Sequence, residues 1–346
     1  EYSSLLVTGG NEMKRSAINR FLNRLPTHFI VIFTMVVWMV PTIGLFITSL
    51  RPLPLINTTG WWTVFSAGNR SSEVTTQATS GAAVDAEKKP AQFTLNNYVD
   101  AIVGYRGTRT YSEDCASGKQ SVSLKCNISD FFNPRGMGQA FLNSLIVSIP
   151  ATILPILLAA FAGYAFAWLD FKGRFLLFAI LVGLQVVPLQ MTLVPVLRMY
   201  ASLGLTGTFI GVWLFHTGFG LPYAIYLMRN FLGGLPRDLF EASYLDGASH
   251  WTTFTNLVIP LAKPAIASLG IFQFLWLWND LLVALVFLGG TKPVMTYQIS
   301  NMVTSLGAGW HLLTAAAFLS MILPMLVFFA LQRYFVKGML AGAVKG

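Results

Sequence analysis

Six stretches of this chain are apolar for long enough to cross a lipid bilayer, and that property narrows its possible folds more than any other. They run over Phe29–Leu50, Leu145–Leu169, Phe175–Tyr200, Thr208–Met228, Pro264–Leu288 and Leu313–Phe335. A helix rising about 1.5 Å per residue needs about 20 apolar residues to cover a hydrocarbon core about 30 Å thick. Inside that core each backbone N–H and C=O must bond within the chain, so spans of this kind are helices. The expected fold class is an all-α membrane protein with six transmembrane helices. Composition agrees, with 54% of residues hydrophobic and 11% charged, against about 25% charged in a soluble domain. The first run has 22 residues, more than the roughly 7–15 of a signal-peptide core, and is read as a permanent span.

Basic residues set the orientation. Lys14, Arg15, Arg20 and Arg24 precede the first span, Lys172 and Arg174 join the second to the third, and Arg229, Arg237 and Lys263 flank the segment after the fourth. Arg333, Lys337 and Lys345 follow the sixth, whereas the short loops on the other side carry little beyond Arg198 and Lys292. The positive-inside rule therefore predicts both termini in the cytoplasm. The organisation that follows is a cytoplasmic tail at 1–28, the first span at 29–50, a large extracytoplasmic loop at 51–142, a membrane core at 143–336 and a second cytoplasmic tail at 337–346. Within the core, 236–260 is a cytoplasmic helical segment. The large loop carries nine basic residues, but loops of that length cross regardless of charge. Sidedness thus accounts for the net charge of +9 with lipid, not nucleic acid, as the partner.

The large loop begins with Trp61 and Trp62, placed like interfacial anchors, and continues through a Ser/Thr/Ala-rich stretch, Ser66–Ala86, with the composition of a flexible segment. Cys115 and Cys126, the only cysteines, both lie in this loop. An oxidising compartment permits a disulfide between them, and two free thiols are the alternative.

Prolines recur within the spans at 41, 150, 155, 188, 195, 222 and 324. Each removes a backbone donor and predicts a kink whose freed carbonyls face other helices or a watery cavity, although proline is also simply commoner in membrane helices. Gln185, Gln190, Gln273, Trp278, Asn279 and Asp280 are the candidate pathway residues, because polar groups in a span are costly against lipid and point into the bundle. Asp280 either lines a pathway or holds helices together near the outer interface. The histidines, His28, His216, His250 and His311, form no metal-ligand pattern, and there is neither a G-x-x-x-x-G-K-[ST] phosphate loop nor an H-E-x-x-H. His216, within a span, is either a proton relay or a packed side chain. No catalytic residue, metal or cofactor is expected in this chain.

The segment EASYLDGASHWTTFTNLVIP, 241–260, interrupts the apolar pattern on the cytoplasmic side. Pro236 suits a first helical position, Asp238 complements the positive helix start, and Gly247 suits the left-handed residue that ends the first of two short helices. The second helix carries Ala248, Trp251, Phe254 and Val258 on one apolar face and is closed by Pro260 and Pro264. Such a hairpin is either a rigid knob that fits a cleft in a partner or an amphipathic element on the membrane surface.

The run E-A-S-x-x-D-G-A at Glu241–Ala248, followed by Phe254 and L-V-I-P at Leu257–Pro260, resembles the coupling motif of ABC importer permeases. That motif usually reads E-A-A, a glycine five residues after the first alanine, and a terminal I-x-L-P. Ser243 stands in place of the second alanine, and Leu257 and Ile259 in place of the usual pair. The resemblance covers about Gly138–Gly346, including W-N-D at Trp278–Asp280 and an ending, Q-R-Y-F-V-K-G-M-L-A-G-A-V-K-G, similar to that of the second permease subunit of maltose-type carbohydrate importers. T-G-W-W at Thr59–Trp62 and the length of the first loop resemble the α-glucoside-type members.

The resemblance implies the type I ABC importer permease fold with an enlarged first extracytoplasmic loop, in a bacterial inner membrane. It implies one permease half of an ATP-driven importer of α-glucosides or related di- and oligosaccharides. The partners would be a second permease subunit, two cytoplasmic ATPase subunits that bind ATP and Mg, and an extracytoplasmic sugar-binding protein. Glu241, Ala242, Ser243, Asp246, Gly247, Ala248, Trp251, Phe254 and Pro260 would form the ATPase-coupling site, and the Gly289–Leu312 loop would reach toward the binding protein. Two other classes compete. An ion-coupled secondary transporter of small polar solutes would need repeats and a paired intramembrane acid and cation, of which only Asp280 is visible. A membrane enzyme would need a carboxylate or histidine cluster in the outer loop, where the adjacent Glu113 and Asp114 would point apart in a strand.

Overall fold

The structure, a computed structural model, describes residues 2–66, 93–106, 110–117, 125–302 and 309–343, with side chains described between Leu25 and Tyr334. The Ser/Thr/Ala-rich stretch beyond Ser66, part of the Gly289–Leu312 loop and Lys345 lie outside the described residues. The chain divides into two compact units, Glu1–Leu95 and Asn96–Gly346.

In the first unit, α1 spans Tyr2–Ser49, and its Leu25–Ser49 portion is long and apolar enough to cross a membrane. Phe29 to Val40 present large exposed hydrophobic side chains, the surface lipid requires. α2, Leu53–Thr58, curls around the buried guanidinium of Arg51, which donates to the carbonyls of Leu55 at 3.0 Å and Thr59 at 3.1 Å. A short 3-10 turn, Trp61–Ser66, lays the Trp61 indole against Gly44, where an added Cβ would come within 2.7 Å.

The second unit opens with two short helices, α3 (Asn96–Val103) and α4 (Tyr111–Ala116), and a 3-10 turn at Ile128–Phe132. Cys115 and Cys126 are joined by a disulfide. Glu113 and Asp114 do not lie in a strand. They sit in the first turn of α4, where Glu113 completes a capping box with Thr110 and Asp114 accepts from the Tyr105 hydroxyl.

Six further helices form the bundle: α5 (Met137–Trp168), α6 (Arg174–Leu184), α7 (Leu189–Ser202), α8 (Phe209–Leu232), α11 (Ile259–Trp278) and α14 (Trp310–Ala343). Between them lie α9 (Arg237–Leu245), α10 (His250–Thr253), α12 (Leu282–Phe287) and α13 (Met295–Met302). α5 and α8 pack along each other, and α11 packs on both and on α14. Small residues make this possible. Ala151, Ala159, Ala160 and Ala224 are buried, and a Cβ on Gly163 would lie 2.8 Å from that of Met228. Close backbone approach replaces the hydrophobic drive that helices lack in lipid.

Among the described residues, five helices can span a membrane alone, and α6 with α7 makes a sixth only as a pair bent by 99°. The third predicted span is therefore not one helix. Of the seven prolines expected to kink spans, Pro188 alone coincides with a break: it caps α7, and it disfavours a helical conformation at Val187 before it. The fifth span also differs from its predicted limits, running over His250–Trp278. It stops at Asn279 because the Asp280 carboxylate accepts from the N–H groups of Val283 at 3.0 Å and Ala284 at 3.2 Å, starting α12 as a separate helix. At its other end neither Pro260 nor Pro264 closes a helix. A π turn, Phe254–Val258, joins α10 to α11, with the Ile259 N–H bonded to the carbonyl of Phe254 five residues back. The altered ladder precedes the donor that Pro260 lacks, so the chain passes the proline without unwinding.

Candidate functional site

The α9–α10 hairpin is built by its caps. Pro236 occupies the N-cap of α9, one place earlier than the spacing suggests, and Asp238 lies in the first turn. α9 ends in a Schellman turn: Gly247 has φ +78°, its N–H bonds Tyr244 O at 3.0 Å, and the Ala248 N–H bonds Ser243 O at 3.1 Å. Ser249 then caps α10 by accepting from the Thr252 N–H at 3.2 Å. The two helices are thus joined by the four residues Asp246–Ser249, with the end of the first and the start of the second both capped.

The underside of the hairpin is fixed to the bundle. Phe240, 1% exposed, stacks on Trp168 with ring centroids 3.7 Å apart, and the Trp168 indole N–H donates to Leu232 O at 3.0 Å. Phe254 stacks on Phe161 at 4.7 Å and joins Val258 in a core with Tyr164, Met228 and Leu232. The hydroxyls of Tyr164 and Tyr244 lie 3.1 Å apart, each facing His250 Nδ1, at 3.5 and 3.3 Å. Ser243 Oγ and Thr253 Oγ1, 2.9 Å apart, tie α9 to α10 at a site where Thr253 is 1% exposed. Serine at 243 is thereby explained, since a second alanine would leave the Thr253 hydroxyl without this bond.

The outer side remains open. Leu245 is 88% exposed, Trp251 is 65% exposed although it stacks on Phe161, and Ala242, Asp246 and Pro260 are exposed beside them. The predicted stripe Ala248–Trp251–Phe254–Val258 is therefore divided: Phe254 and Val258 enter the bundle core, while Trp251 stays at its edge. Glu241 is held by Arg237 one turn before it, at 3.3 Å, with both side chains well exposed. An exposed i,i+4 pair of this kind contributes only about 0–1 kcal/mol, so a stronger basic partner can displace Arg237.

The six candidate pathway residues are not hydrogen-bonded to one another among the described residues. Gln185 and Gln190 are exposed at the α6–α7 break. Gln273 is buried against Gly220, where a Cβ would lie 2.5 Å from Nε2. Trp278 donates to Ser320 O at 2.9 Å, and Asn279 donates to Leu275 O in its own helix at 2.8 Å. Asp280 caps α12 and faces His216 Nε2 at 3.8 Å; His216 is fully buried, packed edge-on to Trp276. Sequence reasoning did not find Phe240, Trp168, Tyr164, Tyr244 or Thr253. Their only signal was aromatic residues around a polar turn.

Residues 140–341 match the family described as the inner membrane component of binding-protein-dependent transport systems. The chain belongs to that family. This permease is 51% identical over 327 residues to the osmoprotective compounds uptake permease protein of Synechocystis sp., covering 94% of this chain and 93% of the relative. It is 40% identical to the alpha-glucoside transport system permease protein of Rhizobium meliloti, with 92% and 96% covered. A chain of a bacterial ABC transporter involved in the import of alginate shares its fold, with a TM-score of 0.60 at 17% identity over 91% of this chain and 97% of that one. The matched region starts in α5 and contains the whole hairpin of this multi-pass inner-membrane permease.

Proposed function

We propose that the protein is one permease half of an ATP-driven importer of α-glucosides or related small glycosides, and that the α9–α10 hairpin receives a cytoplasmic ATPase subunit. The observation that carries the proposal is the hairpin's two-sided construction. Its underside is fixed to the bundle by Phe240 and Phe254, its two limbs are tied to each other by the Ser243–Thr253 bond, and Glu241, Leu245 and Trp251 are exposed on the outer side. A force on the outer face therefore reaches the bundle instead of being lost in a loose loop. ATP and Mg belong to the ATPase subunits, a second permease completes the pathway, and an extracytoplasmic binding protein delivers the solute.

The distribution of basic residues supports cytoplasmic termini and a cytoplasmic hairpin, with α3, α4 and α13 on the other side. An α-glucoside is the class that fits the name of one close relative, and an osmoprotective α-glucoside would fit both.

Purification from membranes in mild detergent tests the proposal. The wild-type chain should bring down an ATPase, and Glu241→Lys, which sets a like charge against a basic partner, should lose it while still inserting. A Glu241→Lys complex with normal solute-stimulated hydrolysis and uptake would refute the coupling role. A chain that transports a solute alone, driven by an ion gradient, would replace the importer with a secondary transporter.

A further inference from the structure

At the end of α5 opposite the hairpin lies a cavity of about 560 Å³, lined among others by Tyr105, Arg106, Arg135, Tyr297, Gln298 and Asn301. Its walls come from three places in the sequence, and each is held by backbone. The end of α3 and the start of α5 touch directly: a Cβ on Gly104 would lie 2.6 Å from the carbonyl carbon of Arg135, and one on Gly136 would lie 2.2 Å from Ile102 O. α13 is tied to the same place by Gln298 Nε2, which donates to Pro134 O at 2.6 Å, and by Asn143, which donates to Pro293 O at 2.8 Å. The cavity is thus a rigid feature of the second unit.

Its charge is not balanced locally. Lys292 nearby is engaged, donating to Gly207 O at 2.6 Å and lying over the Phe209 ring. The neighbouring carboxylates are engaged as well: Asp100 accepts from the Tyr111 N–H at 2.8 Å, Asp130 from the Tyr111 hydroxyl at 2.8 Å, and Asp114 from Tyr105. Arg106 and Arg135 are exposed, and among the described residues neither has a carboxylate within salt-bridge distance. Two guanidinium forks at the rim of a preformed recess select a carboxylate. Both are too exposed to hold a small anion against water unaided, so the ligand must bring its own surface to exclude solvent.

We infer that this recess is a docking socket for an acidic side chain on the extracytoplasmic binding protein, an inference that rests on the importer reading above. Rim arginines of this kind govern the rate of encounter and its salt dependence.

The test titrates the importer's own purified binding protein against the complete reconstituted complex and reads stimulated ATP hydrolysis. Arg106→Ala/Arg135→Ala should raise the binding-protein concentration for half-maximal stimulation about tenfold or more at about 50 mM salt, and the difference should shrink at about 500 mM as screening removes the attraction. Unstimulated hydrolysis should not change. Arg106→Lys/Arg135→Lys should stay close to wild type in the same titration, because it keeps the charge that steers encounter and loses only the fork. An unchanged titration of the double alanine variant would overturn the socket. So would sodium acetate that, at constant ionic strength, stabilises the wild-type but not the double alanine complex while both titrate alike, which would make the recess a small-anion site. A wild-type complex that no concentration of binding protein stimulates would refute the importer reading itself, and the socket with it.

Discussion

Gly247 offers the sharpest test of the hairpin, because its structure separates backbone strain from crowding. Its φ is +78°, yet an added Cβ would meet nothing within 4 Å. A larger residue here is thus penalised only for the left-handed backbone, by roughly 1–2 kcal/mol for an ordinary L-residue and more when Cβ is branched. Relaxing the turn is no cheaper, since it gives up the Gly247–Tyr244 and Ala248–Ser243 bonds, about 1 kcal/mol each. If α10 re-aims to relieve the strain, ATPase docking should weaken by about 5–30-fold, the factor equivalent to 1–2 kcal/mol. The order should be Gly247→Asn mildest, because asparagine tolerates this region, then Gly247→Ala, then Gly247→Val. Titration of purified ATPase subunit onto each variant complex measures it. Gly247→Val binding as tightly as wild type would refute the reasoning, and Gly247→Ala binding as tightly as wild type while Gly247→Val fails would show that crowding, not the left-handed backbone, governs the site.

Ser243→Ala should destabilise the hairpin by about 1–3 kcal/mol by stranding the buried Thr253 hydroxyl, and adding Thr253→Val should recover part of that loss in thermal melts of the complex. Asp100 is buried, and desolvation raises its carboxyl to about 6 from the ordinary 3.8. An acid whose folded pKa is raised contributes most below its unfolded value and loses that contribution as pH rises through the folded one. The segment around α3 and α4 should therefore be more protected from hydrogen exchange at about pH 5 than at about pH 8, and Asp100→Asn should flatten the difference. Asp280→Asn keeps an acceptor for the α12 amides and should lower transport more than membrane abundance; a variant that vanishes from the membrane while its remainder transports normally would make the carboxylate purely structural. Under denaturing, non-reducing conditions Cys115 and Cys126 should resist alkylation, and their reduction should cost at most about 3 kcal/mol for so short a loop.

The membrane class of the fold and the hairpin were legible because each rests on a local signal. Apolar length marks a span, and Gly247 after a polar helix marks a turn wherever it occurs. The limits of the third and fifth spans were not legible, for a common reason. Pro188 and Pro260 have the same local chemistry, yet one caps a new helix after a sharp bend and the other is absorbed behind a π turn. Which outcome prevails depends on what the neighbouring turns pack against, and Phe254 and Val258 have a core to enter while Val186 and Gln185 are exposed. The recess at Arg106 and Arg135 was equally hidden, since residues from three distant segments meet there only after folding.

The π turn at Phe254–Val258 has a mechanical meaning. Because it replaces a loop, the second limb of the hairpin and the fifth span form one beam of 29 residues, about 43 Å long at helical rise. A continuous helix passes on torque as well as push. Movement at Trp251 is therefore carried along its length. It must appear as tilt or rotation at the far end, where Trp278 is pinned to Ser320 and Asp280 starts the next helix.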